Sequence, residues 1–317
     1  MTQGAVRSDY LDWLAEALSP SRPRLGIDIA GDVVLGYATG YGPADIAPFV
    51  HSLRAAFNGP VALVVDETPA VLAFLREHDV IAIPPRRWTG WAPHPVMLRF
   101  DAFDRLLEQW PGVTNVLITD VRDVVFQASP FVPTPQPLEA FIEAETPLGN
   151  HAFNMKHLRA LAGDGLATAL SDRPCLCIGT VIGARSEVRR LCRLILSLAA
   201  TPRSAIGGTF GADQAAFNLA IHQELIPATV RPNYGRVATL GMTDGDGLVF
   251  RDGQVINPDG SVSPIVHQHD RHPHLDVPVH ARWSGGLEHR PRIQPRSAGD
   301  RLTKLKSSLR RRMPELR

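Results

Sequence analysis

Residues 116–127 read VLITDVRDVVFQ. Val116, Leu117, Ile118 and Thr119 make a strand with little polarity on either side, and it runs directly into Asp120. A strand that is apolar on both faces belongs inside a sheet covered by helices above and below. Asp120 and Asp123 then stand at the carboxyl end of that strand, the edge at which open α/β sheets take their ligands. Two carboxylates there suit a hard divalent cation, which wants oxygen ligands and keeps positions open for phosphate oxygens. The plainer reading is a strand-end turn whose aspartates cap backbone N–H groups, with Arg122 paired to Asp123.

Upstream, the chain repeats strand, turn and helix. Residues 32–38 (DVVLGYA) form an apolar strand ending in the turn Thr39-Gly40-Tyr41-Gly42, and a helix is expected over residues 45–57. A strand over 61–66 (VALVVD), a helix over 69–78 and a strand over 80–83 follow. After the loop 84–95, residues 96–110 (VMLRFDAFDRLLEQW) carry apolar residues at helical spacing. This alternation predicts a parallel sheet buried on both faces. Downstream, a strand over 175–182 (CLCIGTVI) precedes a helix over 186–200, and the glycine-rich residues 207–211 lead into a helix over 212–224. Beyond Arg231 the chain is rich in turns, and it contains no internal repeat. The expected organisation is an N-terminal helix near residues 9–18 with a linker (1–30), one α/β domain (31–280) and a basic tail (281–317).

Composition fits a globular protein. Of 317 residues, 44% are apolar, enough for a sizeable core and against global disorder. The net charge of +1 hides an asymmetry: residues 281–317 hold 11 Arg/Lys against 3 Asp/Glu, which leaves −7 for the rest. Only three cysteines are present, Cys175, Cys177 and Cys192, so neither a disulfide framework nor a four-cysteine zinc site is expected. Cys175 and Cys177 alternate along a strand and read as packing residues. The first 20 residues carry Asp9, Asp12 and Glu16 and no apolar run of signal-peptide length. No stretch approaches the roughly 20 apolar residues needed to span a bilayer. A cytoplasmic location is expected. In the tail, Leu302, Leu305, Leu309 and Met313 fall on one side of a helix whose other sides carry Lys304, Lys306 and Arg310 to Arg312. Such a basic amphipathic helix can lie on an anionic membrane surface, here the inner face.

Two further segments carry chemistry. Residues 267–274 read HQHDRHPH, and five of the 12 histidines fall between His267 and His280. The strand-like Ile265-Val266 before them would point His267 and His269 to the same side, and imidazole is a frequent metal ligand. Most of the remaining histidines read as a surface cluster. In GTFGADQAAFN, residues 208–218, Asp213 and Gln214 open a helix after a glycine-rich turn, at a helix end where anions are favoured. Thr39, Tyr41 and Asp66, at the ends of the first two strands, are candidate nucleobase and ribose contacts or ordinary turn residues. The phosphate loop GxxxxGK[ST], a GxGxxG after the first strand, HExxH and GxSxG are all missing, which disfavours P-loop NTPases, Rossmann dehydrogenases, zincin proteases and α/β-hydrolases.

In order, the arginine-bearing helix, ITDVRD, the strand with GTVIG, DQAAFN and the late histidine resemble a GT-A fold glycosyltransferase. The pattern is most similar to glycosyltransferase family 8 and related bacterial nucleotide-diphospho-sugar transferases, and it covers residues 32–275. The resemblance implies a Rossmann-like mixed α/β sheet flanked by helices. It also implies a retaining, metal-dependent transfer of a sugar from a nucleotide-diphosphate sugar to a glycan, glycolipid or other hydroxyl acceptor, with no nucleic-acid partner. Asp120, Asp123 and His267 match the family's Mn²⁺ (or Mg²⁺) ligands. Arg99, Asp120 and Gly179 match donor contacts, and Asp213 and Gln214 match the pair near the reacting sugar. Two departures stand out. The spacing is Asp-x-x-Asp rather than Asp-x-Asp, and the usual lysine-bearing ending is replaced by HQHDR, where Arg271 could supply the positive charge. The alternatives are a non-catalytic nucleotide-sugar or glycan-binding domain, and a metal-dependent phosphohydrolase of the haloacid-dehalogenase type, whose paired aspartates are spaced differently.

Overall fold

The computed structural model describes residues 9–19, 26–200 and 208–288. The first half alternates strand and helix as the apolar pattern demands. β1 (Ala30–Tyr37), α2 (Pro43–Ala56), β2 (Val61–Val64), α3 (Pro69–Glu77), β3 (Ile81–Ile83), α4 (Pro95–Gln109) and β4 (Gly112–Thr119) follow α1 (Asp9–Ala17). Each of α2, α3 and α4 begins with a proline in its first turn, where the missing N–H costs nothing. Side chains cap two of these starts: Thr68 accepts from the Val71 N–H and His94 from the Val96 N–H.

The second half is less regular. β5 (Val124–Phe126), β6 (Leu138–Pro147), α5 (Ala152–Ala162), α6 (Asp164–Ala169), β7 (Pro174–Ala184), α7 (Arg185–Ala200) and α8 (Ala212–His222) come first. Five short strands follow: β8 (Thr229–Arg231), β9 (Val237–Thr239), β10 (Val249–Arg251), β11 (Gln254–Ile256) and β12 (Ile265–His267). A 3₁₀ turn at His269–Arg271 and α9 (Pro273–Trp283) complete the described chain.

The main sheet has the order β3-β2-β1-β4-β7-β6-β8. Its first four strands are parallel, as expected, but β7 runs antiparallel to both β4 and β6. The fold is therefore α/β with a mixed sheet flanked by helices, as the resemblance implies. Strand direction follows from where the chain re-enters the sheet, which local composition does not record. β1 shows why helices cover both faces: Val33 and Leu35 join the core under α4 and α7, while Val34 joins that under α2. α1 is also part of this body, with Tyr10 and Trp13 in the larger core and the Tyr10 hydroxyl donating to Leu196 O at 2.8 Å.

A second, three-stranded sheet, β5-β12-β9, stands beside the first. It brings the end of the described chain back to the carboxyl end of β4. α9 packs beside it through Leu275 and Val279. The amphipathic helix expected over residues 301–317 lies outside the described residues. Among the described residues, no helix is long and apolar enough to cross a membrane.

A carboxylate–imidazole centre at the meeting of two cavities

Asp120 leaves β4 immediately after Thr119, which pairs with Thr180 of β7, and the Asp120 N–H donates to Gly179 O at 2.7 Å. β5 begins at Val124, so Asp123 sits in a short link that turns its carboxylate back toward Asp120. β12 supplies the third group. It pairs antiparallel with β5, His267 opposite Val124, and the Gln268 N–H donates to Asp123 O at 2.7 Å. Register alone thus lays His267 beside Asp123, across 144 positions of sequence.

The result is one compact cluster. An oxygen from each aspartate and a ring nitrogen of His267 all lie within 4.8 Å of one another, and together they could hold a metal ion. His267 Nε2 is 3.3 Å from Asp120 Oδ2 and 3.9 Å from Asp123 Oδ1. The ring is fully buried, and Nε2 has no hydrogen-bond partner of acceptable geometry. An orphaned buried nitrogen aimed at two carboxylates is what a cation-binding donor set looks like without its ion. The other ring nitrogen, Nδ1, is 3.7 Å from Cys177 Sγ. With the proton on Nδ1 facing that sulfur, Nε2 keeps the lone pair a metal needs. Gly179 makes room for the arrangement: a Cβ there would stand 2.6 Å from Asp120 Oδ2 and press on His267 Cε1.

Charge is unevenly balanced here. Arg99, on α4, lies between Asp120 and Asp213, bonding the first and reaching Asp213 Oδ2 at 2.8 Å. Burial resists ionisation of Asp120, but Arg99 and His267 outweigh it and bring its pKa down to about 2. Asp123 is shifted the other way, upward, by burial and by the charges of Asp120 and Asp270, against the pull of His267. Burial would lower His267, yet Asp120 and Asp123 raise it. Asp213 and Glu143 are both raised, chiefly by burial.

Two cavities meet at this cluster. One, about 350 Å³, carries Tyr37, Thr39, Tyr41 and Asp123; the other, about 470 Å³, carries Glu143, Cys177, Gly179, Asp213 and Gln214. They share Val96, Arg99, Asp120, Phe210, Gln268 and Arg271. Thr39, Tyr41, Arg99, Gly179, Asp213, Gln214 and Arg271 therefore all line one cleft.

Other expected residues fall differently. Asp66 is not among the residues lining the two cavities. Its exposed carboxylate accepts from the Gly40 N–H at 2.7 Å, so it holds the glycine turn after β1. His269 does not share a side with His267, because Gln268 between them has φ 64° and ends the strand's alternation. His269 sits instead 3.5 Å from Asp276. Nor is the late cluster a surface one: His267, His269, His272 and His280 are buried and only His274 is exposed. Gln214 is committed to structure as well as to the cleft. Its Nε2 donates to Leu176 O and Glu143 Oε2, both at 2.7 Å, and its Oε1 accepts from the Ile178 N–H at 3.0 Å.

Sequence reading missed Glu143, Cys177 as the neighbour of His267, and the exposed Phe153, Phe210 and Met242 beside the larger cavity. Glu143 had one available signal, a carboxylate set in the apolar run LEAFIEA of β6. No family model matches this chain, and no curated protein matches it.

Proposed function

We propose that this chain is a metal-dependent glycosyltransferase, moving a sugar from a nucleotide-diphosphate sugar to an acceptor hydroxyl with retention, in glycan or glycolipid synthesis. The observation that carries the reading is the Asp120–Asp123–His267 cluster at the junction of two cavities, both of them lined by Arg99 and Arg271. A reaction that cleaves a sugar–diphosphate bond needs this division: one compartment for the nucleotide, one for the sugar and acceptor, and positive charge where they meet.

Asp120, Asp123 and His267 would hold the ion. Two carboxylates with one imidazole favour Mn²⁺ over Mg²⁺, which prefers oxygen and water alone. When bound, a divalent ion supplies charge against the negative charge growing on the leaving diphosphate. The remaining roles belong to side chains of the cleft. Thr39 and Tyr41 border the nucleotide compartment. Arg99 is held by two carboxylates, so its part is to fix Asp120 and Asp213 in place. Arg271, 3.4 Å from Asp270 and more exposed than Arg99, has the freedom to meet a phosphate oxygen. Asp213 would accept hydroxyls of the transferred sugar. Gln214 would act near the sugar by orienting Glu143, since its own amide already bonds that carboxylate. The basic segment 281–317 would keep the enzyme peripheral to an anionic membrane.

The test is release of nucleotide from UDP- and GDP-sugars with and without Mn²⁺. Mn²⁺-dependent release of the nucleoside diphosphate is expected. Phosphate release from simple monoesters instead would identify a phosphohydrolase. Binding of donor, seen as a thermal shift, with no release under any acceptor would identify a non-catalytic binder.

A further inference from the structure

His51, on α2, and His78, the residue that closes α3, face each other with their Nε2 atoms 3.0 Å apart. Their other nitrogens are already assigned by their neighbours. His51 Nδ1 is 2.7 Å from the carbonyl oxygen of Trp283, and His78 Nδ1 is 2.8 Å from that of Phe74. A carbonyl oxygen can only accept, so each Nδ1 must carry the hydrogen. In each neutral ring the lone pair is then on Nε2. The two lone pairs point at one another across 3.0 Å, an arrangement that requires an electrophile between them.

We propose that this pair is a transition-metal site, distinct from the carboxylate centre, for a borderline divalent ion of the Zn²⁺, Ni²⁺ or Cu²⁺ class. An imidazole that donates its far N–H to a backbone carbonyl is the outer-shell arrangement of metal-bound histidine, and both rings show it. The separation fits as well. Zn–N bonds of about 2.0–2.1 Å place two adjacent ligand nitrogens roughly 3–3.4 Å apart. Two imidazoles suit these ions and not Ca²⁺ or Mg²⁺. Phe74 walls one side, 5.6 Å and 4.6 Å between ring centroids from His51 and His78. Both rings are only partly buried, so an ion can reach them and water can complete its shell. Neither histidine is among the residues lining the cleft cavities. Because the Trp283 carbonyl ends α9, an ion here would tie the end of that helix to α2 and α3.

The experiment uses the full chain carrying Asp123→Asn, which disables the carboxylate centre. Zn²⁺ affinity is read by competition with a chromophoric chelator, and Cu²⁺ is read by electron paramagnetic resonance. One equivalent of Zn²⁺ is expected in that background, with at least a tenfold loss of affinity on adding His78→Gln. The Cu²⁺ spectrum should show coupling to two nitrogens, reduced by the same substitution. His78 is half-buried, and the metal-free melting temperature of His78→Gln checks that the fold is kept. An Asp123→Asn chain that binds no Zn²⁺, or binds it equally with and without His78, overturns the proposal and leaves a shared proton as the bridging charge.

Discussion

Two buried acid clusters in this molecule balance charge in different ways. Around Glu139, on β6, every oxygen is met: Oε1 takes Arg231 at 3.1 Å and the Gln136 N–H at 3.0 Å, and Oε2 takes Arg236 at 3.0 Å. Arg236 donates its other N–H groups to Pro130 O and Pro133 O. Burial would raise the Glu139 pKa, but these partners overcome it and hold it below the ordinary 4.5. In the cleft, Arg99 bonds Asp120 and Asp213, Asp123 faces His267 and Glu143 takes the Gln214 amide, and three of those four carboxyls are raised. In a compensated cluster, removing one partner strands a buried charge. A cluster with surplus negative charge costs stability until a cation arrives, and folds retain such sites where a ligand uses them.

Three experiments test this contrast. The largest effect belongs to the compensated cluster. Glu139→Gln keeps the size but leaves Arg236, whose side chain is 8% exposed, without its counter-charge. A loss of about 3 kcal/mol is expected in urea unfolding, the usual scale for breaking a buried pair. The same acid-to-amide change at Asp123 should leave metal-free stability unchanged or improve it, since ionised Asp123 is disfavoured where it stands. Equal losses at both positions would erase the distinction.

Next comes the response to metal. A free ion at a hundred times its Kd stabilises the native state by about 2.7 kcal/mol. Titration with Mn²⁺ should show such a rise in the wild type, and none in Asp123→Ala or His267→Ala. Glu139→Gln should keep the rise although its baseline is lower. A Mn²⁺ response that survives both cleft substitutions would place the ion elsewhere.

The smallest effect is in pH dependence, where Glu139 and His267 act on opposite limbs and Asp120, held down to about 2, adds to the acid one. Glu139 has a lowered folded pKa, so its contribution is present above 4.5 and is lost as pH falls through the folded value. His267 has a raised folded pKa, so its contribution is full below 6.5 and is lost as pH rises through the folded value. Melting temperature without metal should therefore decline on both sides. Mn²⁺ should lift the alkaline limb only, because the ion takes the place of the His267 proton. Glu139→Gln should make the acid limb shallower and leave the alkaline limb as it is, the rest of the acid decline belonging to Asp120. A Mn²⁺ increment that shrinks as pH rises from about 6 to about 8, through the range where imidazole titrates, would contradict the assignment of His267 as a ligand.

Much of the site is legible in the amino-acid sequence. Asp120 and Asp123 announce themselves by standing after an apolar strand, and Asp213 by opening a helix after glycines. Glu143 is marked only by standing in the apolar run of β6, and a glutamate there looks the same whether it meets solvent, an arginine or a cavity. Glu139 and Glu143 lie on one strand and have opposite pKa shifts. α9 is hidden because HPHLDVPVHARW carries Pro278 inside the helix and has little amphipathic contrast. His269 departs from expectation because one left-handed residue, Gln268, ends a strand that composition alone would have continued.

From the amino-acid order by itself come the βα units of residues 30–119, the helices over 185–200 and 212–222, and the residue types able to hold a cation. These depend on apolar period, proline at helix starts and glycine at turns, all of which act within a few residues. The packing of distant segments sets the antiparallel course of β7 beside β4, the entry of β12 next to β5 and the meeting of His51 with His78. Those pairings bring together side chains that are 27 to 144 positions apart. Their stability comes from surfaces buried in common, and a surface shared by two distant segments has no trace in either segment alone.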